Sequence, residues 1–165
     1  MRSAPPALFL AAMAATVAFI LATTPALPDR VGTHFGPGGL ADGWMTRDGY
    51  RLYMLAFAVG FAGFIVAMVG VLPRLFPGAI NVPNRAYWLA PARRGEATAF
   101  LLAHACLLGV LIEAMIAGVH WLVLEANAAS PPRLATAPFV ALLVAFLALV
   151  LVWIVALFRR FRLPR

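Results

Sequence analysis

Hydrophobic and polar positions along this chain fall into long blocks, far longer than the repeat of a soluble helix or strand. Residues 7 to 27, ALFLAAMAATVAFILATTPAL, carry no charge, and residues 52 to 72 and 136 to 158 are equally uninterrupted. About 20 apolar residues of helix cross the hydrocarbon core of a bilayer, so each run predicts a spanning helix. A fourth run, 97 to 124, contains His104, Glu113 and His120 but keeps the length and leucine content of a span. Inside lipid a segment must satisfy its own backbone donors and acceptors, which leaves helices or closed barrels, and continuous apolar runs lack the alternation of a barrel. The pattern predicts an all-α integral membrane protein, a single membrane domain over residues 1–165 with four transmembrane helices. The first run reads as an uncleaved helix, because it exceeds the usual apolar core of a signal peptide, about 7 to 15 residues, and no A-x-A site follows it.

Composition agrees with that pattern. Hydrophobic residues make up 64% of the chain and charged residues 12%, against about 25% charged in soluble domains. The net charge of +7 could suggest nucleic acid, but all thirteen basic residues are arginines gathered at the ends of the apolar runs, so no nucleic-acid partner is expected. Cys106, the single cysteine, cannot form an intramolecular disulfide. One face receives nine arginines (Arg2, Arg74, Arg85, Arg93, Arg94, Arg159, Arg160, Arg162 and Arg165), the other only Arg30, Arg47, Arg51 and Arg133. The positive-inside rule then places both termini and loop 73–96 in the cytoplasm and loop 28–50 outside. Small residues four apart in the first span (Ala11, Ala14, Ala15, Ala18, Ala22) and in the second (Ala56, Gly60, Gly63, Ala67) predict a close contact between those two helices.

The outer loop holds six of the thirteen glycines, with Pro28 and Pro37, and reads as successive tight turns without long helix or buried strand. His34, Gly39, Asp42 and Trp44 are its candidate binding residues. His34 with Asp29, Asp42 and Asp48 offers metal-ligand chemistry, but no recognised ligand spacing, so no metal or other cofactor is expected. GPGG lacks the G-K-[ST] of a phosphate-binding loop, and neither HExxH nor GxSxG occurs, so no catalytic residue is assigned and an enzyme ranks last. In the cytoplasmic loop Asn84 is expected to cap a short helix, Arg85 to Leu89. Tyr87, Trp88 and Leu89 would then lie among headgroups and Arg85, Arg93 and Arg94 would meet phosphate. An exposed Trp88 flanked by arginines would alternatively dock a cytosolic regulator.

Leu27-Pro28, His34, Gly39 and Asp42-Gly43-Trp44, followed after one span by Ile80-Asn81-Val82-Pro83-Asn84-Arg85, Tyr87-Trp88-Leu89-Ala90-Pro91 and Arg93-Arg94, resemble the membrane domain of unknown function that forms the N-terminal part of SdpI-type immunity proteins. The resemblance covers roughly residues 10 to 100 and its two loop motifs stand in the family's order. It implies a multi-pass protein of a bacterial cytoplasmic membrane. In the SdpI type it further implies immunity to a secreted toxic peptide, with signalling through a repressor held at the membrane.

Glu113 lies near the middle of its span, where an ionised carboxylate costs at least about 2.5 kcal/mol, so it needs a partner or a proton. At about 100° per residue, His120 returns to within roughly 20° of the same face, while His104 points to the opposite side. A neutral Glu113 bonded to Thr16 or to backbone is one expectation, a Glu113 and His120 pair acting as a proton relay the other. Two functions follow. One is an immunity-like or receptor-like protein whose outer loop meets a secreted peptide or envelope protein, and the other a small transporter or proton-coupled subunit built on Glu113. A homo-oligomer suits the second, because four helices enclose little.

Overall fold

The computed structural model describes residues 4–163 and contains, among them, four helices long and apolar enough to cross a membrane. Helix α1 (Ala4–Thr23) tightens into a 3-10 turn at Thr24–Ala26. An antiparallel hairpin follows, β1 (Arg30–Phe35) with β2 (Ala41–Thr46). Helix α2 then runs over Arg47–Leu75. After a 3-10 turn at Pro77–Ala79 come the single-turn α3 (Arg85–Trp88), the long α4 (Pro91–Ala128) and α5 (Thr136–Arg160). Arg2 and Arg165 of the charge count lie outside the described residues.

Three expectations change. The chain is mostly helical but not all-α, because the glycine-rich stretch builds the β-hairpin where only turns were expected. Its last residues already belong to α2, whose first turn is capped by Thr46: the side-chain oxygen accepts from the Gly49 N–H at 3.1 Å. Helix α4 begins six residues before its apolar run and ends four after it, since polar end residues continue a helix that hydropathy alone truncates.

Helix α4 is the centre of the bundle, with α1 and α2 packed on it. Helix α2 turns Tyr50, Met54, Ala58, Ala62, Val66 and Gly70 inward, a row spaced by four. In a regular α-helix such a row drifts about 40° per step and would leave the interface within a few turns. Two π-helical stretches, Ala56–Phe61 and Ala67–Val71, fit more residues into each turn and bring the row back towards α4.

The small-residue stripe is not the close contact expected of it. A Cβ on Gly60 or Gly63 would meet nothing within 4 Å, and α1 packs principally on α4 rather than on α2. The close approach is at Gly109 of α4, where a Cβ would fall 2.5 Å from the Phe9 ring and 2.8 Å from Val66. The backbone of α4 can only lie this near α1 and α2 because no side chain intervenes.

Helix α5 buries none of its residues. It is fastened to α4 midway by a reciprocal pair: Trp153 Nε1 donates to the His104 carbonyl at 2.8 Å, and His104 Nε2 donates to the Trp153 carbonyl at 2.9 Å. The two rings stack at 4.4 Å. His104 thus faces α5, opposite the α1 side of α4, as its helical position predicts.

Candidate functional site

The hairpin caps one end of the bundle and is bolted to it at several points. Asn127, at the end of α4, accepts the Gly32 N–H at 2.7 Å and donates to the Gly32 carbonyl at 3.0 Å. One side chain thereby satisfies both edge groups of a β1 residue. The hairpin tip rests on the segment between α4 and α5. Leu134 N–H donates to the Gly39 carbonyl (2.8 Å), Arg133 Nε to the Gly38 carbonyl (3.0 Å) and Ala41 N–H to the Pro132 carbonyl (3.1 Å). Gly38 and Gly39 have φ of 86° and 83°, which only glycine adopts without strain. At the hairpin base Arg47 reaches back to the carbonyls of Pro25 and Leu27 and to the carboxylate of Asp29.

What the cap presents outward is a small set of side chains. His34 Nδ1 pairs with the Asp42 carboxylate across the two strands, and both side chains are more than half exposed. Register shifts on both sides of the His34–Gly43 pair and the missing side chain of Gly43 make this possible, because the His34 Cβ lies 2.6 Å from where a Gly43 Cβ would stand. Trp44 is 39% exposed with the Arg30 guanidinium 5.1 Å above its ring. Beside His34 a cleft of about 220 Å³ opens between the hairpin and the helices, floored by Phe35, Val119, Leu122 and Phe139. The acids expected as alternative ligands go elsewhere: Asp29 to Arg47 and Asp48 to Arg51 at 3.0 Å. Among the described residues no group of three or more His, Cys, Asp or Glu side chains is placed to hold a metal ion.

Beneath the cap lies a buried polar chain whose direction can be worked out. Thr23 Oγ1 donates its one hydrogen to the Phe19 carbonyl at 2.7 Å, so it must accept from His120 Nε2 at 2.8 Å. Nε2 therefore carries the ring hydrogen and Nδ1 accepts from the Tyr50 hydroxyl, also at 2.8 Å. His120 is fully buried and joins α1, α2 and α4 at one point.

Glu113 and His120 share a face of α4 but form no pair, since both ring nitrogens of His120 are already engaged. The relay through direct contact is therefore not built. Thr16 stands beside Glu113, yet its hydroxyl donates to the Ala12 carbonyl at 3.1 Å. Among the described residues neither carboxyl oxygen, both buried, has a partner in hydrogen-bond geometry. Having given its one hydrogen to Ala12, Thr16 Oγ1 can meet Glu113 only as an acceptor, which is the contact a protonated carboxyl donates to.

At the other end of the bundle Asn84, Arg85 and Trp88 are also brought together, but for fastening. Asn84 starts α3 as predicted, with a left-handed φ of 55° and without a side-chain cap bond. Its Nδ2 instead donates to the Phe161 carbonyl at 2.8 Å, where Trp88 Nε1 also donates at 3.0 Å. Trp88 is 8% exposed and lies edge-on to Phe161 under the Arg160 guanidinium. The exposed docking tryptophan expected here is a buried anchor, because its indole N–H finds an orphan carbonyl at the end of α5. The sequence offers Arg133 only as an outer-face charge and Tyr50 only as an aromatic near the outer boundary, and gives Asn127 no role. Only the position of Asn127 in the last turn of an apolar helix could have pointed to it.

The family described as Domain of unknown function (DUF1648) matches residues 11–60. That stretch runs from α1 through the whole hairpin into α2 and contains His34, Gly39, Asp42 and Trp44. No curated protein and no solved structure matches the chain.

Proposed function

We propose that this chain is a multi-pass protein of a bacterial cytoplasmic membrane, with its hairpin end outside and its arginine-rich end in the cytoplasm, that recognises a secreted peptide or envelope protein through the hairpin cap. The carrying observation is the contrast within the cap. Its backbone is bonded to α4, to α2 and to the α4–α5 segment, while His34, Asp42, Trp44 and Arg30 remain on the surface. Rigid elements holding adaptable polar groups beside an apolar cleft suit recognition of a peptide carrying an apolar side chain. The SdpI-type resemblance supports an immunity-like role of this kind, with a cytosolic regulator meeting the opposite end. The reading is non-enzymatic and requires no cofactor. The unburied surface of α5 faces lipid or a second copy.

A photo-crosslinking amino acid at Trp44 tests the recognition reading in the native membrane. It is expected to trap one defined extracytoplasmic partner, lost in Asp42→Ala. Failure to trap any peptide or protein at Trp44 or at His34 would remove this reading.

A second reading rests on Glu113. A carboxyl at mid-span with both oxygens buried and, among the described residues, outside hydrogen-bond geometry of any partner supports a proton-coupled subunit. It becomes the better account if Glu113→Gln abolishes a cellular phenotype that survives replacement of the cap side chains.

A further inference from the structure

At the end of the bundle opposite the hairpin, two concavities of about 580 and 310 Å³ adjoin and share Pro77 and Arg94. The turn after α2, the single turn of α3 and the start of α4 form their walls. Arg85 lines one and Arg74 the other.

Glu96, Arg160 and Arg93, at the same end, are already engaged. Glu96, the only acidic residue between Asp48 and Glu113 in the sequence, is ion-paired with Arg160. Arg93 lies over the Tyr87 ring at 3.9 Å. Arg85 gives Nη2 to the Gly78 carbonyl at 2.9 Å, which fixes its planar fork at the groove and leaves further N–H donors. The side chains of Arg74 and Arg94 have no partner among the described residues. Arg74, Arg85 and Arg94 place three like charges along the two adjoining concavities, and an anion lying there relieves their repulsion. An oxyanion with several acceptor oxygens matches their forks.

The rim identifies the source of that anion. Leu75 and Phe76, beside Arg74, are 66% and 59% exposed, an apolar edge that a free aqueous anion would leave uncovered. We infer that this groove binds an anionic phospholipid, its phosphate held by Arg74, Arg85 and Arg94 and its acyl chains lying along Leu75 and Phe76. The inference needs the helices to span a bilayer but does not depend on recognition at the cap.

The test uses the full chain in nanodiscs of equimolar phosphatidylglycerol and phosphatidylcholine, with retained lipid counted by native mass spectrometry. Phosphatidylglycerol is expected to be retained selectively, and Arg85→Gln with Arg94→Gln to lower that retention about tenfold. Arg159→Gln with Arg162→Gln removes the same charge from the same end but outside the groove, and is expected to leave retention unchanged. Equal loss in both pairs means unspecific charge attraction and overturns the site. Displacement of the lipid by millimolar inorganic phosphate reassigns the groove to a free anion and overturns the lipid. Arg74→Gln alone, on the exposed end of α2, is expected to lower retention about threefold and reads the same groove should the double variant not fold. A chain that fails to enter the nanodisc refutes the membrane reading itself, a result distinct from each of these.

Discussion

Tyr50 donates its hydroxyl to Nδ1 of His120 at 2.8 Å across 70 residues of sequence, and the two rings stack at 5.7 Å. With the tautomer of the histidine set by Thr23, this contact starts a one-way run of hydrogen bonds that ends on the Phe19 carbonyl of α1. Tyr50→Phe keeps the ring and leaves Nδ1 as a buried acceptor without a donor, at a cost of about 1–3 kcal/mol. Thermal unfolding in detergent, followed by circular dichroism, is expected to show a lowered midpoint. An unchanged midpoint would mean that the imidazole finds another donor.

Asn127 satisfies two backbone groups of Gly32 at once. Asn127→Ala orphans both and is expected to free β1 locally, by about 1–3 kcal/mol, without melting the helices. Hydrogen exchange read at the Gly32 amide should quicken while amides in the middle of α4 keep their protection. Protection retained at Gly32 would show that the hairpin holds its place through the other bonds.

Gly38 and Gly39 share a left-handed backbone but not their surroundings. A Cβ on Gly38 meets nothing within 4 Å, whereas one on Gly39 would fall 2.5 Å from the Leu134 carbonyl oxygen. Gly38→Ala therefore carries only the backbone strain, about 1–2 kcal/mol. Gly39→Ala adds a clash with backbone that cannot swing aside, and must cost more. Equal unfolding midpoints for the two variants would contradict the docking of the tip on the α4–α5 segment.

Replacing Glu113 offers the opposite sign. A buried polar group with no partner costs stability, so Glu113→Leu is expected to raise stability by about 1–3 kcal/mol, and Glu113→Gln to change it by less than about 1 kcal/mol. A loss of more than about 2 kcal/mol in both would reveal a bound group that the carboxyl serves.

Orientation has its own measurement. With Cys106→Ala as background, a cysteine replacing exposed Asp48 should react with a membrane-impermeant maleimide on intact cells, and one replacing exposed Arg162 only after lysis. The reverse pattern would invert the proposed topology.

The four long apolar helices were legible because a long run with little or no charge has one low-cost structure in lipid. The face of His120 was legible from helical angle alone. Its partners were not, since periodicity says where a side chain points along its own helix and nothing about which helix stands opposite. The hairpin was hidden for a related reason. Arg30 to Phe35 and Ala41 to Thr46 have little strand character of their own, and they pair because Asn127, Arg133 and Leu134, 95 residues away in the case of Asn127 and Gly32, hold them in place. Trp88 misled for want of the same information: its orphan carbonyl belongs to the far end of the chain. The small-residue stripe of α2 failed because π-helical turns move residues off the face that a regular helix assigns them.

Every hydrogen-bond partner that fastens the cap, from Pro25 to Leu134, precedes α5 in the chain, whereas α5 contributes Phe139 to the floor of the cleft beside His34. During synthesis the bonds that hold the hairpin can form before α5 is made, but the cleft lacks one wall until Phe139 arrives. Helix α5 is fastened to α4 and α3 through Trp153 and Phe161 and, with Phe139, completes that cleft.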